Sequence, residues 1–190
     1  MSFLDEIAIQ AGETKRPSAF SELYEWASSL VTAVIAMILV FSFAARTTQV
    51  SGISMVPTLL HQDMLVISRI GMTPSYGDIV VITKPTSAKE TLIKRVIATE
   101  GQEVNIDFEK GHVYVDGVLL DEPYINAPTN LPLDQVFPVT VPAGHVFVMG
   151  DNRNFSLDSR STGVGMIDTR YILGRVVWRL LPTERFGGVD

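Results

Sequence analysis

Apolar positions along this chain fall into two regimes. From Trp26 to Ala45 the run WASSLVTAVIAMILVFSFAA carries no charged residue, no proline and no glycine. At about 1.5 Å of rise per residue, about 20 helical residues span the roughly 30 Å hydrocarbon core of a bilayer. Tyr24 and Trp26 stand where an interfacial aromatic belt would lie, and Arg46 closes the other end. The segment therefore predicts a transmembrane helix over 26–45. A cleaved signal peptide ending near Ser42-Phe43-Ala44 fits less well, because the run is too long and no basic residue directly precedes it. A buried core helix rarely avoids charge over such a length. Lys15 and Arg16 precede the span, which gives a slight preference for a cytoplasmic N-terminus.

Beyond Arg46 the period changes. The runs MLVISRI, DIVVITK, TLIKRVIAT, EVNIDF, HVYVDGVLL, VTVPAGHVFVMG and YILGRVVWRLL are rich in β-branched residues and separated by Gly, Pro, Asn and Asp. Asp116-Gly117 is a strong two-residue hairpin signal, and Pro142-Ala143-Gly144 marks another turn. Several runs are apolar at nearly every position, as strands buried on both faces would be. The expected organisation is a polar tail over 1–25, the span over 26–45, and a β-rich domain over 46–190. That domain is mainly antiparallel, a sheet or barrel-like, with no long helix.

Composition narrows the function. The formal net charge of -6 leaves no basic stripe for phosphates, which argues against a nucleic-acid partner. The absence of cysteine removes disulfides, thiolate metal sites and cysteine nucleophiles together.

Three stretches place chemistry beside the strands. In Ser51-Gly52-Ile53-Ser54-Met55-Val56-Pro57-Thr58-Leu59, which comes a few residues after the span, Ser54 is a candidate nucleophile close to the bilayer surface. Gly52 allows the backbone to bend so that an amide N–H faces a reacting carbonyl; a plain turn accounts for the same residues. In Thr91-Leu92-Ile93-Lys94-Arg95-Val96-Ile97, Lys94 interrupts an apolar strand on the face of Leu92 and Val96. Burial there would lower its pKa and make it a general base, whereas a side chain with its head in water would not act so. Arg95, on the other face, reads as a solvated or ion-paired charge. The third stretch, Met149 to Arg160, is dense in local hydrogen-bonding groups and suits an ordered loop beside a site. Arg153 at its third position and Ser156 at its sixth, counted from Asp151, rule out a calcium loop. A Ser-His-Asp triad is a competing reading that spacing alone does not exclude, although His61, His112 and His145 each read better as strand-end or turn residues.

Together, and in this order after a membrane span, SGISMVPTL, YGDIVVITKP, TLIKRVIATEG and MGDNRNFSLDSR resemble the type I signal peptidases, Ser-Lys serine proteases of bacterial membranes. The resemblance implies Ser54 as nucleophile, Lys94 as base, and the Ser54 amide in the oxyanion hole. Where some members carry an assisting serine, this chain has Gly52. It further implies that Ser156 orients the lysine and that Met55, with Ile53, lines the pocket for the residue before the cut. Asp158 with Arg160, and Asp151 with Arg153, would brace the loop. Ser54 and Lys94 are 94 − 54 = 40 residues apart, similar to compact single-span members. The implied partners are signal peptides of secreted preproteins, cut after a small-x-small site, and the lipid bilayer; the implied state is a monomer, with the N-terminus cytoplasmic and the β domain outside. Neither metal nor organic cofactor is implied. A self-cleaving Ser-Lys protease and a non-catalytic tethered β domain are the competing readings.

Overall fold

The computed structural model describes residues 19–83 and 91–189; the side chains of 19, 21 and 39–45 fall outside the described set. Most of the expected tail, 1–18, therefore lies outside the described residues, as does Lys84-Pro85. The chain divides into two compact units, one ending at Phe43 and one beginning at Ala44.

Among the described residues the first unit holds one helix, α1 (Ala19–Ala44), of 26 residues. It begins ahead of Trp26 because Phe20 to Glu25 contain no helix breaker and continue the same backbone geometry. Among the described residues no helix is long and apolar enough to cross a membrane. The expected span over 26–45 takes in side chains outside that set.

The second unit is built from β1 (Ala45–Gln49), β2 (Met64–Ser68), β3 (Ile79–Thr83), β4 (Thr91–Thr99), β5 (Glu103–Asp107), β6 (His112–Val115), β7 (Val118–Leu119), β8 (Val139–Thr140), β9 (His145–Met149), β10 (Ile167–Asp168), β11 (Ile172–Leu181) and β12 (Gly187–Gly188). Every pairing is antiparallel. The larger sheet runs β1-β2-β11-β3-β4-β9-β10, with β12 added on β11, and the smaller runs β7-β6-β5-β8. Among the described residues the ladder ends at β1 and β10 without closing, so the barrel-like expectation gives way to an open sheet. In the described part of this unit the only helices are three short 3₁₀ turns.

The continuous apolar runs have a direct cause. In β3, Ile79 and Val81 enter one buried cluster while Val80 and Ile82 enter another. In β9, Val146 and Val148 face one cluster and Phe147 and Met149 the other. These strands are covered on both faces, so alternation disappears. At the periphery it returns, as in β5, where exposed and buried positions alternate. The β6–β7 hairpin turns on Asp116 (φ 50°) and Gly117 (φ 78°), both left-handed as a two-residue turn of this hand requires.

Candidate active site

Ser54 lies in the turn-rich segment between β1 and β2, which is pinned by its own apolar side chains. Val50, Met55 and Leu59 are buried with Leu65 and Ile67 of β2 and Ile93 of β4. That burial anchors the segment on the sheet at the strand that carries Lys94. Lys94 Nζ lies 2.8 Å from Ser54 Oγ, and it donates to the Ile93 carbonyl at 3.1 Å. The lysine is 3% exposed. Burial pushes its pKa below the ordinary lysine value of 10.5; Asp158 and then Asp151 pull it back up, and Arg160 lowers it further. The expected face holds, since Leu92 and Val96 pack in one cluster with Val80, the cross-strand partner of Lys94. A hydroxyl beside an amine whose ammonium form is disfavoured by burial can pass its proton to that amine.

Gly52 adopts φ +96°, a left-handed turn two residues ahead of Ser54. Its own N–H donates to His61 Nδ1 at 3.2 Å, so that donor is occupied. Among the described residues, no hydrogen bond engages the Ser54 N–H. A cleft of about 430 Å³ adjoins the pair, lined by Gln49, Val50, Ser51, Ser54, Met55 and residues 91–94. Of the two residues expected at a substrate pocket, Met55 lines this cleft and Ile53 does not. Ile53, two positions before buried Met55, is 55% exposed. A larger cleft of about 550 Å³, between the 69–74 loop and 144–146, contains neither Ser54 nor Lys94.

The loop from Gly150 to Arg160 packs on the nucleophile. The Asn152 N–H donates to the Ser54 carbonyl at 3.0 Å, and Asn152 Nδ2 donates to the Ile53 carbonyl at 3.1 Å. Gly150 must be glycine, for a Cβ there would collide with the Ser54 carbonyl oxygen and with Ser156. Ser156 Oγ is buried with no hydrogen-bond partner among the described residues, so the bond to Lys94 expected of it is not made in this structure. The Asp158–Arg160 pair is fully buried, with Nε–Oδ1 at 2.9 Å; Asp158 also accepts from the Gly150 N–H at 3.0 Å.

Asp151 and Arg153, expected to act together, pair with other segments instead. Asp151 accepts two bonds from Arg95, at 2.9 and 2.8 Å, and one from Thr58 Oγ1 at 2.5 Å. Arg153 forms a buried ion pair with Glu122 at 2.6 Å. Each arginine thus finds a carboxylate within reach on a neighbouring segment, and the loop is tied to its surroundings. Arg95 is accordingly ion-paired, not solvated, and its guanidinium lies 4.0 Å from the centroid of the Tyr124 ring. Thr58, Glu122, Tyr124 and Asn152 were not singled out by sequence. Glu122 and Tyr124 sit in an irregular segment with no pattern to mark them, whereas Asn152 stood inside the third motif. The histidines read as anticipated: His61 lies in a turn, and His112 and His145 begin strands.

The sequence matches the family described as signal peptidase, peptidase S26, over residues 23–181. A Synechocystis protein named "Probable signal peptidase I-2" is 35% identical over 96% of this chain and 84% of its own length. The signal peptidase I of Leptolyngbya laminosa is 35% identical over 90% and 86%. That of Bacillus licheniformis is 33% identical over 94% and 99%.

Proposed function

The chain belongs to the signal peptidase family, peptidase S26, and on that basis we propose that it removes signal peptides from exported preproteins with Ser54 as nucleophile and Lys94 as general base. The enzyme is a serine endopeptidase, a signal peptidase I. The observation that carries the assignment of residues is the 2.8 Å approach of Lys94 Nζ to Ser54 Oγ at a buried site.

In the reaction we assign, the Ser54 O–H donates to neutral Lys94, and Ser54 Oγ attacks the scissile carbonyl carbon. The unengaged Ser54 N–H stabilises the resulting oxyanion, with Gly52 shaping the approach. Lys94 then returns the proton to the leaving amine, and water hydrolyses the acyl-enzyme. Ser156, with its unpartnered hydroxyl, is assigned to steady the lysine once Ser54 Oγ carries the acyl group. The segment before the cut lies extended in the cleft between 49–51 and 91–94, with Met55 at the floor; a small residue before the cut fits that apolar floor. Asp151, Arg153, Asp158 and Arg160 hold the loop in register.

We also assign α1 to the membrane. Its 26 residues give about 39 Å of helix, and positions 26–45 include no charge. The N-terminus is then cytoplasmic, and the β domain acts outside as a monomer.

The test is cleavage of a purified preprotein in detergent, with mass spectrometry locating the cut. Wild type should cut after a small-x-small site, and Ser54→Ala or Lys94→Ala should lower kcat by about 10⁴-fold or more. Substantial turnover by either folded variant would sink the dyad.

A further inference from the structure

The loop that packs on the nucleophile carries two large apolar side chains in water. Phe155 is 69% exposed and Leu157 is 62% exposed, on either side of buried Ser156. Scattered exposed hydrophobics are ordinary, but these two flank a residue that packs against Gly150 beside the Ser54 carbonyl. Their backbone is held. The Phe155 N–H donates to the Asn152 carbonyl at 3.0 Å, while the Asn152 N–H donates to Ser54. Asn154 Oδ1 accepts from the Asn130 and Leu131 N–H groups at 3.2 and 3.0 Å, fastening the turn from its other side. The two side chains therefore project from a rigid turn, so ordering them on contact costs little.

A polypeptide cut at Ser54 has two limbs. The limb before the cut has a place in the cleft formed by 49–51, Met55 and 91–94, and no residue of the 150–157 loop lines that cleft. The limb carrying the leaving amine must depart from Ser54 by another route. The 150–157 loop borders Ser54 through the Asn152 contact. We propose that Phe155 and Leu157 form a contact surface for the first residues after the cut and favour apolar side chains there. This rests on the peptidase reading above. No step of the chemistry changes; the surface acts on the binding of the leaving limb, and through it on orientation of the scissile bond.

The test uses the full chain in detergent and two preproteins that differ only in the two residues after the cut, Leu-Phe in one and Ser-Asp in the other. Wild type should favour the apolar version by about tenfold in kcat/KM, the scale on which a hydrophobic contact discriminates. In F155S/L157S the ratio should fall to about one, while the Ser-Asp substrate is cut as by wild type. Leu157→Ser alone should give an intermediate ratio. Acylation of Ser54 by a serine-directed reagent should keep its rate, showing that the loop is still folded. A ratio unchanged in the double variant would overturn the proposal. So would an equal loss on both substrates, which would mark the pair as a bilayer contact or a structural one. Cleavage of neither substrate by wild type would overturn the peptidase reading itself, and this inference with it.

Discussion

Lys94 sets the pH behaviour at the scale of single residues. Its pKa is lowered, first by burial, and the reaction needs the neutral amine. The rate should fall as pH drops through that lowered pKa and level off above it, on a limb below 10.5. Stability follows the same sign. Between the folded pKa and the unfolded one the unfolded chain binds the extra proton, so the chain gains stability as pH rises through that window. Lys94→Met should therefore exceed wild type in stability near neutral pH by a margin that narrows toward pH 10.5, as urea denaturation at several pH values would show. Asp158 opposes the burial effect, so Asp158→Asn should move the kinetic limb to lower pH in whatever fraction folds. A shift upward would contradict the pull of the Asp158 carboxylate on the ammonium. Gly150→Ala should reduce both kcat and stability, because the added methyl meets the Ser54 carbonyl; a variant with wild-type kcat would show that the loop yields. Residue types at these positions were legible in sequence, while the burial that tunes them was inferred from a strand pattern and required the fold.

Asp151 matters at the scale of elements because one carboxylate serves two of them. It receives Arg95 of β4, next to the base, and Thr58 of the segment that carries the nucleophile. Removing it takes the carboxylate from a buried guanidinium that keeps the Gly77 carbonyl and the Tyr124 ring, a loss of about 3–5 kcal/mol. Thr58→Val removes a hydrogen bond but leaves the ion pair, a loss of about 1 kcal/mol. Urea denaturation of Asp151→Ala and Thr58→Val checks that ordering, and equal losses would refute it. The Asp158–Arg160 pair is implied by the family resemblance; spacing alone does not give it, since Asp151 and Arg153 also stand two positions apart and pair elsewhere. The Arg153–Glu122 pair could not be anticipated, because a segment 31 residues away supplies the carboxylate. β1 illustrates the same limit. Its sequence, Ala-Arg-Thr-Thr-Gln, has no apolar alternation and becomes a strand only by pairing with β2.

At the scale of the whole molecule, the two units should separate functionally. The full chain should sediment with membranes and resist alkaline extraction, whereas a chain beginning at Ala44 should fold and cleave peptides in solution. Release of the full chain by alkali would refute the membrane assignment. The sequence alone determined the uncharged run, the β-rich character of residues 46–190 and the Asp116-Gly117 hairpin, and it marked Ser54 and Lys94 as candidates. Each is local, resting on period, turn chemistry or a short motif, and local information survives in a string of residues. Tertiary structure decided that the sheet stays open, that Ile53 is exposed, that Lys94 bonds Ser54 and Ile93 and not Ser156, and that Arg95 and Arg153 find Asp151 and Glu122. These outcomes depend on which distant segments meet. Pairing across strands and loops is set by the packing of the whole sheet, where the cost of a buried charge selects its partner after the backbone has placed the candidates.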